Sequence, residues 1–209
     1  MGVKMIIKSV KTFFFTTIII NGLIIPFIIF FITKTGNKYN VIFAVNLLTQ
    51  MFTPLLASFL VCMHMSKYID YRGNEIYYIV NKNKRNEVIK LFLSYIVCNS
   101  FPFLFYIKLN KNLGVEWIHI VIITWLFMSG SYFFCYLFRS VSLSVIPSFF
   151  YAIYSIVGFS FLGNNISYYE FEGLTIENLT SKYIYFIIVS IFIFILGSVL
   201  NDFYDKYNE

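Results

Sequence analysis

"YRGNEIYYIVNKNKRNEVIK", Tyr71 to Lys90, is the longest charge-rich passage of the chain, and the sequence on both sides of it is apolar. The run before it ends in "FLVCMHM" at Met65, and Leu91 opens another run of Leu, Phe, Ile and Val. A chain that leaves apolar surroundings for about twenty residues and then returns to them reads as a loop between two membrane spans.

The composition supports that reading. Hydrophobic residues make up 59% of the 209 and charged residues 12%, with a mean hydropathy of +0.75. So little polar surface cannot cover so much apolar side chain in water, which makes an all-α integral membrane protein the expected fold class. The 26 Phe and 17 Tyr, with abundant Ile, Asn and Lys, follow the bias of AT-rich bacterial coding and are not a binding signature. Membrane lipid is an expected partner and nucleic acid is not.

Cys62, Cys98 and Cys135 fall in or beside apolar runs and are odd in number, so no disulfide framework is indicated and reduced thiols are expected. The basic start "MGVKMIIKSVK" leads into a run as long as a full span with no small-residue cleavage site. The first hydrophobic segment is therefore expected to be retained.

A spanning helix needs about 20 mostly apolar residues. Six runs qualify: 13–33, 41–65, 91–107, 117–138, 141–162 and 183–200, none with Asp, Glu, Lys or Arg. Pro26, Pro54, Pro102 and Pro147 are expected to kink four of them. With the N-terminus inside, Lys4, Lys8, Lys11, Lys67, Arg72, Lys82, Lys84, Arg85, Lys90, Arg139 and Lys206 are cytoplasmic. Lys34, Lys38, Lys108, Lys111 and Lys182 are outside, giving 11 basic residues against 5. That asymmetry predicts a multi-pass cell-membrane protein with both termini cytoplasmic, forming one transmembrane domain over 1–209.

Two segments flank this core. Residues 1–12 place Lys4, Lys8 and Lys11 on one face and Val3, Ile6, Ile7 and Val10 on the rest, as an interfacial amphipathic helix would. An unstructured basic tail that only sets topology is the alternative. "GNNISYYEFEGLTIENLTSK" before the last span carries Glu170, Glu172 and Glu177 and reads as an external re-entrant or surface-lying helix, or as a plain loop.

Several chemistries are excluded by what the sequence lacks. No Gly-rich loop ending in Gly-Lys-Ser/Thr is present to cradle phosphates, so the chain is not expected to hydrolyse ATP, and no catalytic residue or metal ligand set is assigned. His64 and His119, close to helix ends, read as interfacial side chains rather than a proton relay. Cys62 and His64 are two apart, about 200° around a helix, and so cannot pair with each other. "SGS" at Ser129 to Ser131 lacks a Gly-x-Ser-Gly motif and reads as helix packing.

Within the opening passage, Ile76, Ile79 and Val80 stand at i, i+3 and i+4 with Tyr77 and Tyr78 beside them. The spacing predicts a short helix with one apolar face, starting after Gly73-Asn74 and ending at "NKNK". The face needs a cover, either the membrane or a groove in a partner protein.

Asp70, Arg72-Gly73, Glu75, Ile76, Tyr77, Ile79-Val80, Arg85 and Lys90 together resemble the segment between the second and third spans of type V ABC exporters. These are six-span permeases paired with separate ATPases. The family's proline after the helix is replaced here by Lys82. The resemblance implies that 67–90 is a cytoplasmic coupling segment docking on an ABC ATPase dimer. ATP and Mg would be bound in that partner, and this chain would pair with a second permease subunit, identical or related. Compact members of the family often export antimicrobial or toxic peptides, so peptide export or self-immunity is the first cargo expectation. Outside the resemblance, a membrane enzyme processing peptides or lipids, or a non-transporting immunity or sensor protein, stays open. So does a loop whose charges only fix topology.

The second span also carries a polar stripe. Asn46, Gln50, Thr53, Ala57 and His64 fall within about 40° of one helical face. Such a face turns toward the bundle, a subunit interface or a transport route, and interhelical hydrogen bonding explains it as well as a pathway does.

Overall fold

The computed structural model describes residues 15–17, 19–35, 38–70, 84–109, 113–158, 167–169 and 176–207. Among the described residues every regular element is helical. A π-helical turn, Ile20–Ile24, leads into α1 (Ile25–Thr35); α2 (Lys38–Ile69), α3 (Lys84–Leu109), α4 (Leu113–Phe138), α5 (Val141–Gly158) and α6 (Ile176–Tyr207) follow. Each apolar run of the sequence thus lies largely in a helix. Four stretches are long and apolar enough to cross a membrane: Asn46–Ile69, Lys84–Lys108, Leu113–Phe138 and Thr180–Phe203. The apolar helical stretches Phe15–Phe31 and Val141–Val157 are shorter.

The helices also outrun the hydropathy boundaries. α3 begins at Lys84 rather than Leu91, and α4 at Leu113 rather than Trp117. Lys, Arg and Glu are good helix formers, so a backbone already hydrogen-bonded as helix does not stop where hydrophobicity falls. The interfacial helix of 1–12 and the coupling residues Arg72 to Val80 lie outside the described residues, as do 163–166 and 170–175 of the segment before the last span, whose residues 176–182 belong to α6.

Proline shapes the first helix. Pro26 has no N–H to donate, and just before it the ladder widens so that Ile25 N–H reaches Ile20 O. Pro54, Pro102 and Pro147 sit inside α2, α3 and α5, which run through them.

α2 and α4 form the centre, with α3, α5 and α6 around them and α6 packed mainly along α4. At one end of the bundle, here the base, α2 finishes, α3 starts and α4 turns into α5. The opposite end, the crown, holds the end of α3 and the start of α4 and α6. Ala57, Leu60 and Val61 of α2 pack on Met128, Tyr132 and Cys135 of α4 toward the base. Near the crown, Ile123 and Phe127 of α4 meet Tyr183 of α6 and the extended pair Tyr168-Tyr169.

Helix association in lipid depends on close packing, because lipid is as apolar as the side chains it contacts. Gly197 shows how close. A Cβ there would stand 2.7 Å from a Tyr132 ring carbon and 3.2 Å from the Phe133 Cα. Along α6 the usual inside-outside order is inverted: Phe192 is 61% exposed, while Ser190 and Asn201 are buried. That arrangement suits a hydrocarbon surround.

Candidate functional site

Polar chemistry concentrates at the two ends of α2. At the base, the last turns of α2 meet the first turn of α3 on a single carboxylate oxygen. Glu87 Oε2 accepts from His64 Nε2 at 2.7 Å, from Tyr68 Oη at 2.7 Å and from Lys67 Nζ at 3.0 Å. Lys67 also lies 4.7 Å from the Tyr68 ring centroid, and the buried Lys84 lies 5.7 Å from it. Charge-assisted hydrogen bonds are stronger than neutral ones, and here three of them converge. Glu87 in the first described turn of α3 suits the positive end of the helix dipole.

Asp70 extends the fastening to α5. Its Oδ1 accepts from Val141 N at 3.4 Å, at the N-terminus of α5, where backbone N–H groups lack helical partners. The α4–α5 connection is only Arg139-Ser140, and Arg139 takes the left-handed conformation with φ of 49°. Asp70, part of the segment that resembles a coupling region, thus has a partner within the chain. Arg85 is exposed on the first turn of α3. Arg72, Gly73, Glu75, Ile76, Tyr77, Ile79 and Val80 lie outside the described residues.

Toward the crown, Asn46, Gln50, Thr53 and Ala57 are all buried inside the one chain. Gln50 Nε2 donates to Glu116 Oε1 at 2.6 Å, and His119 Nδ1 lies 2.9 Å from the same oxygen. Glu116 and His119 are 2% and 0% exposed. The His119 ring packs on Tyr183 at 4.4 Å between centroids. Tyr183 Oη donates to Tyr168 O at 3.1 Å, and Ser167 Oγ donates to Ser155 O at 2.7 Å. Residues 167–169 are thereby seated against α5 and α6. Burial pushes the Tyr168 and Tyr169 phenols above their ordinary value, with the Glu116 charge adding to the effect on Tyr169.

This crown cluster corrects the sequence reading twice. His119 is a core side chain and not an interfacial one, and a carboxylate stands inside the fourth apolar helix, four residues into α4. Drawing the span from Trp117 left Glu116 outside it. The available signal was the i, i+3 spacing of Glu116 and His119, which puts both on one face of a helix.

Between the two ends, smaller polar groups join α2, α4 and α5. Ser58 and Ser131 hydroxyls are 2.6 Å apart, and Ser131 and Ser148 are 3.2 Å apart. Cys62 and Cys135 thiols, 4.0 Å from each other, both contact Ser144 Oγ, at 3.3 and 3.1 Å. The lower part of the Thr53 turn is tied to α3 by Tyr95 Oη, which donates to Thr53 O at 2.7 Å and receives Asn21 Nδ2 at 2.9 Å. Cys62 and His64 serve different neighbours, as their spacing predicts. Ser131 of the "SGS" triplet makes helix contacts.

Among the described residues no group of three or more His, Cys, Asp and Glu side chains is placed to hold a metal. The class defined by fold and site is a helical bundle with four membrane-length apolar helices and a polar cluster at each end. The chain matches no protein-family model, no curated protein and no solved structure.

Proposed function

We propose that this chain is the permease subunit of an ATP-driven exporter of the type V ABC class, moving amphipathic or antimicrobial peptides out of the cell or its membrane. In this reading all six apolar helices span, the base is cytoplasmic, and two permease subunits assemble with two separate ATPase subunits. ATP and Mg belong to that partner. The carrying observation is the Glu87 fastening. Within the coupling segment 67–90, the end of α2 and the start of α3 on either side of residues 71–83 are held together by His64, Lys67 and Tyr68 on the Glu87 carboxylate. Asp70 ties the same point to α5. A push on residues 71–83 therefore reaches α2, α3 and α5 together, which a loop serving only to set topology does not require.

The burial of Asn46, Gln50, Thr53 and Ala57 within one chain supports the packing reading of the stripe over a subunit interface. It also leaves the route of the cargo to other surfaces.

Purification of the tagged chain from membranes of its own host, with mass spectrometry of what accompanies it, tests the proposal. A co-purifying ATPase is expected for the native chain. It should be lost when Ile76→Glu and Ile79→Glu put charge on the apolar docking face, where an unpaired charge is costly to bury, while membrane insertion persists. Absence of an ATPase with the native chain, or full capture by the double variant, defeats the coupling assignment.

A further inference from the structure

The crown cluster is incomplete in a way the base cluster is not. Glu116 Oε1 takes both Gln50 and His119, whereas Glu116 Oε2 and His119 Nε2 meet no hydrogen-bond partner among the described residues. Both side chains are almost wholly buried. A buried carboxylate with a free oxygen, beside an imidazole with a free nitrogen, is expensive unless something neutralises it. Each neighbouring element carries polar or titratable groups. α2 offers Gln50, which is uncharged. α3 offers Tyr106 and the exposed Lys108, and α5 offers Tyr151 behind Tyr168. α6 offers Tyr183 with Lys182 5.5 Å from its ring centroid, and the seated segment offers Tyr168 and Tyr169. The phenols stay neutral at ordinary pH. The two lysines are cations, but neither is hydrogen-bonded to the carboxylate among the described contacts.

We propose that Glu116 and His119 form a proton-binding site whose occupancy controls the seating of residues 167–169 at the crown. The proton is the ligand that fits a site this closed. With one proton the pair is neutral as a whole, either as imidazolium with carboxylate or as imidazole with carboxylic acid. A second proton from the medium, taken up as pH falls, leaves imidazolium beside carboxylic acid. That net positive charge is buried next to the Tyr183 ring, with Lys182 already close. Opening the crown to water is the available relief, and the Tyr183–Tyr168 contact is the one lying over His119. In the proposed topology the crown faces outward, so the site reads external pH. The inference does not depend on an ATPase.

The chain has 2 His, so a His64→Gln variant leaves His119 alone for nuclear magnetic resonance of 15N-histidine-labelled full-length protein in detergent micelles. The His119 signals are followed as pH is lowered, and a shift with pH is the expected result. Adding Glu116→Gln, close in shape, should move its midpoint by at least about one pH unit, as loss of an adjacent carboxylate does. A second readout follows the segment. A cysteine at Ser167, in a background without Cys62, Cys98 and Cys135, is labelled by an impermeant maleimide at each pH. Its rate is divided by that of the same cysteine with Glu116→Gln, cancelling the reagent's own pH dependence. The ratio should rise about tenfold across the His119 transition, a change of about 1.4 kcal/mol. A His119 signal that does not move with pH, or moves identically with Glu116→Gln, overturns the proton site. Titration with a flat labelling ratio overturns its control of the segment.

Discussion

The base and the crown each hold a glutamate beside a histidine, and the two pairs differ in what completes them. At the base, Glu87 is a quarter exposed and gathers His64, Tyr68 and Lys67 on one oxygen. Charge is neutralised on the spot by a lysine and water can reach it. At the crown, Glu116 is sealed, its counterpart is a histidine alone, and one oxygen is left over. The same residue pair thus makes a fixed joint in one place and a variable one in the other. A carboxylate held by a permanent cation keeps its charge over the working range of pH. A carboxylate held by an imidazole has a counter-charge that itself depends on a proton.

The largest effect expected from breaking this comparison is at the base. Glu87→Ala removes the common acceptor of His64, Lys67 and Tyr68. Removing one partner of a partly buried ion pair costs about 3 kcal/mol. The thermal midpoint of the detergent-solubilised protein should fall accordingly, and ATPase capture should weaken because the roots of the coupling segment separate. Glu87→Gln keeps an acceptor oxygen and should recover part of the loss. An unchanged midpoint for Glu87→Ala would make the base cluster a surface feature of no mechanical consequence.

A smaller effect is expected at the crown from Gln50→Leu. The leucine is comfortable in a membrane helix, so the change removes one interhelical hydrogen bond to Glu116, about 1 kcal/mol. Thermal unfolding measures that loss. The same variant takes away the one neutral donor on the carboxylate, so His119 becomes its only described hydrogen-bond partner. A loss larger than that of Glu87→Ala would invert the ranking of joint and switch.

Much of the architecture was legible because lipid imposes simple rules. Apolar runs of the right length become helices. All six runs fall largely in helices, and the polar stripe of α2 faces inward as the cost of exposing it to lipid requires. The helix ends were not legible, since hydropathy reports where a membrane suits the chain and not where hydrogen bonding stops. That mismatch hid Glu116, which stands one residue before the apolar run yet inside α4. The Glu87 fastening was hidden for another reason. Glu87 stands about twenty residues along the sequence from His64, Lys67 and Tyr68, and only the antiparallel meeting of α2 and α3 brings them to one point. The tie of Asp70 to α5 was not legible either, because its partner is a backbone N–H, which no side-chain pattern reveals.

The smallest effect belongs to the region between the clusters, where the comparison predicts neither joint nor switch. Ser58, Ser131 and Ser148 link α2, α4 and α5 through hydroxyls at 2.6 and 3.2 Å. Ser58→Ala deletes one end of this chain, but Ser131 keeps Ser148, and alanine fits where serine did. The loss should be about 0.6 kcal/mol, the average for such bonds between membrane helices, visible as a small drop in thermal midpoint. Ser58→Ala with Ser148→Ala strands Ser131 in the core, so the pair should cost more than the two single changes added, since a buried hydroxyl without a partner is penalised in full. Neither variant should alter the pH response of the crown or capture of an ATPase. A change in either would mean that the middle of the bundle carries a signal between the two ends, and that they act as one device.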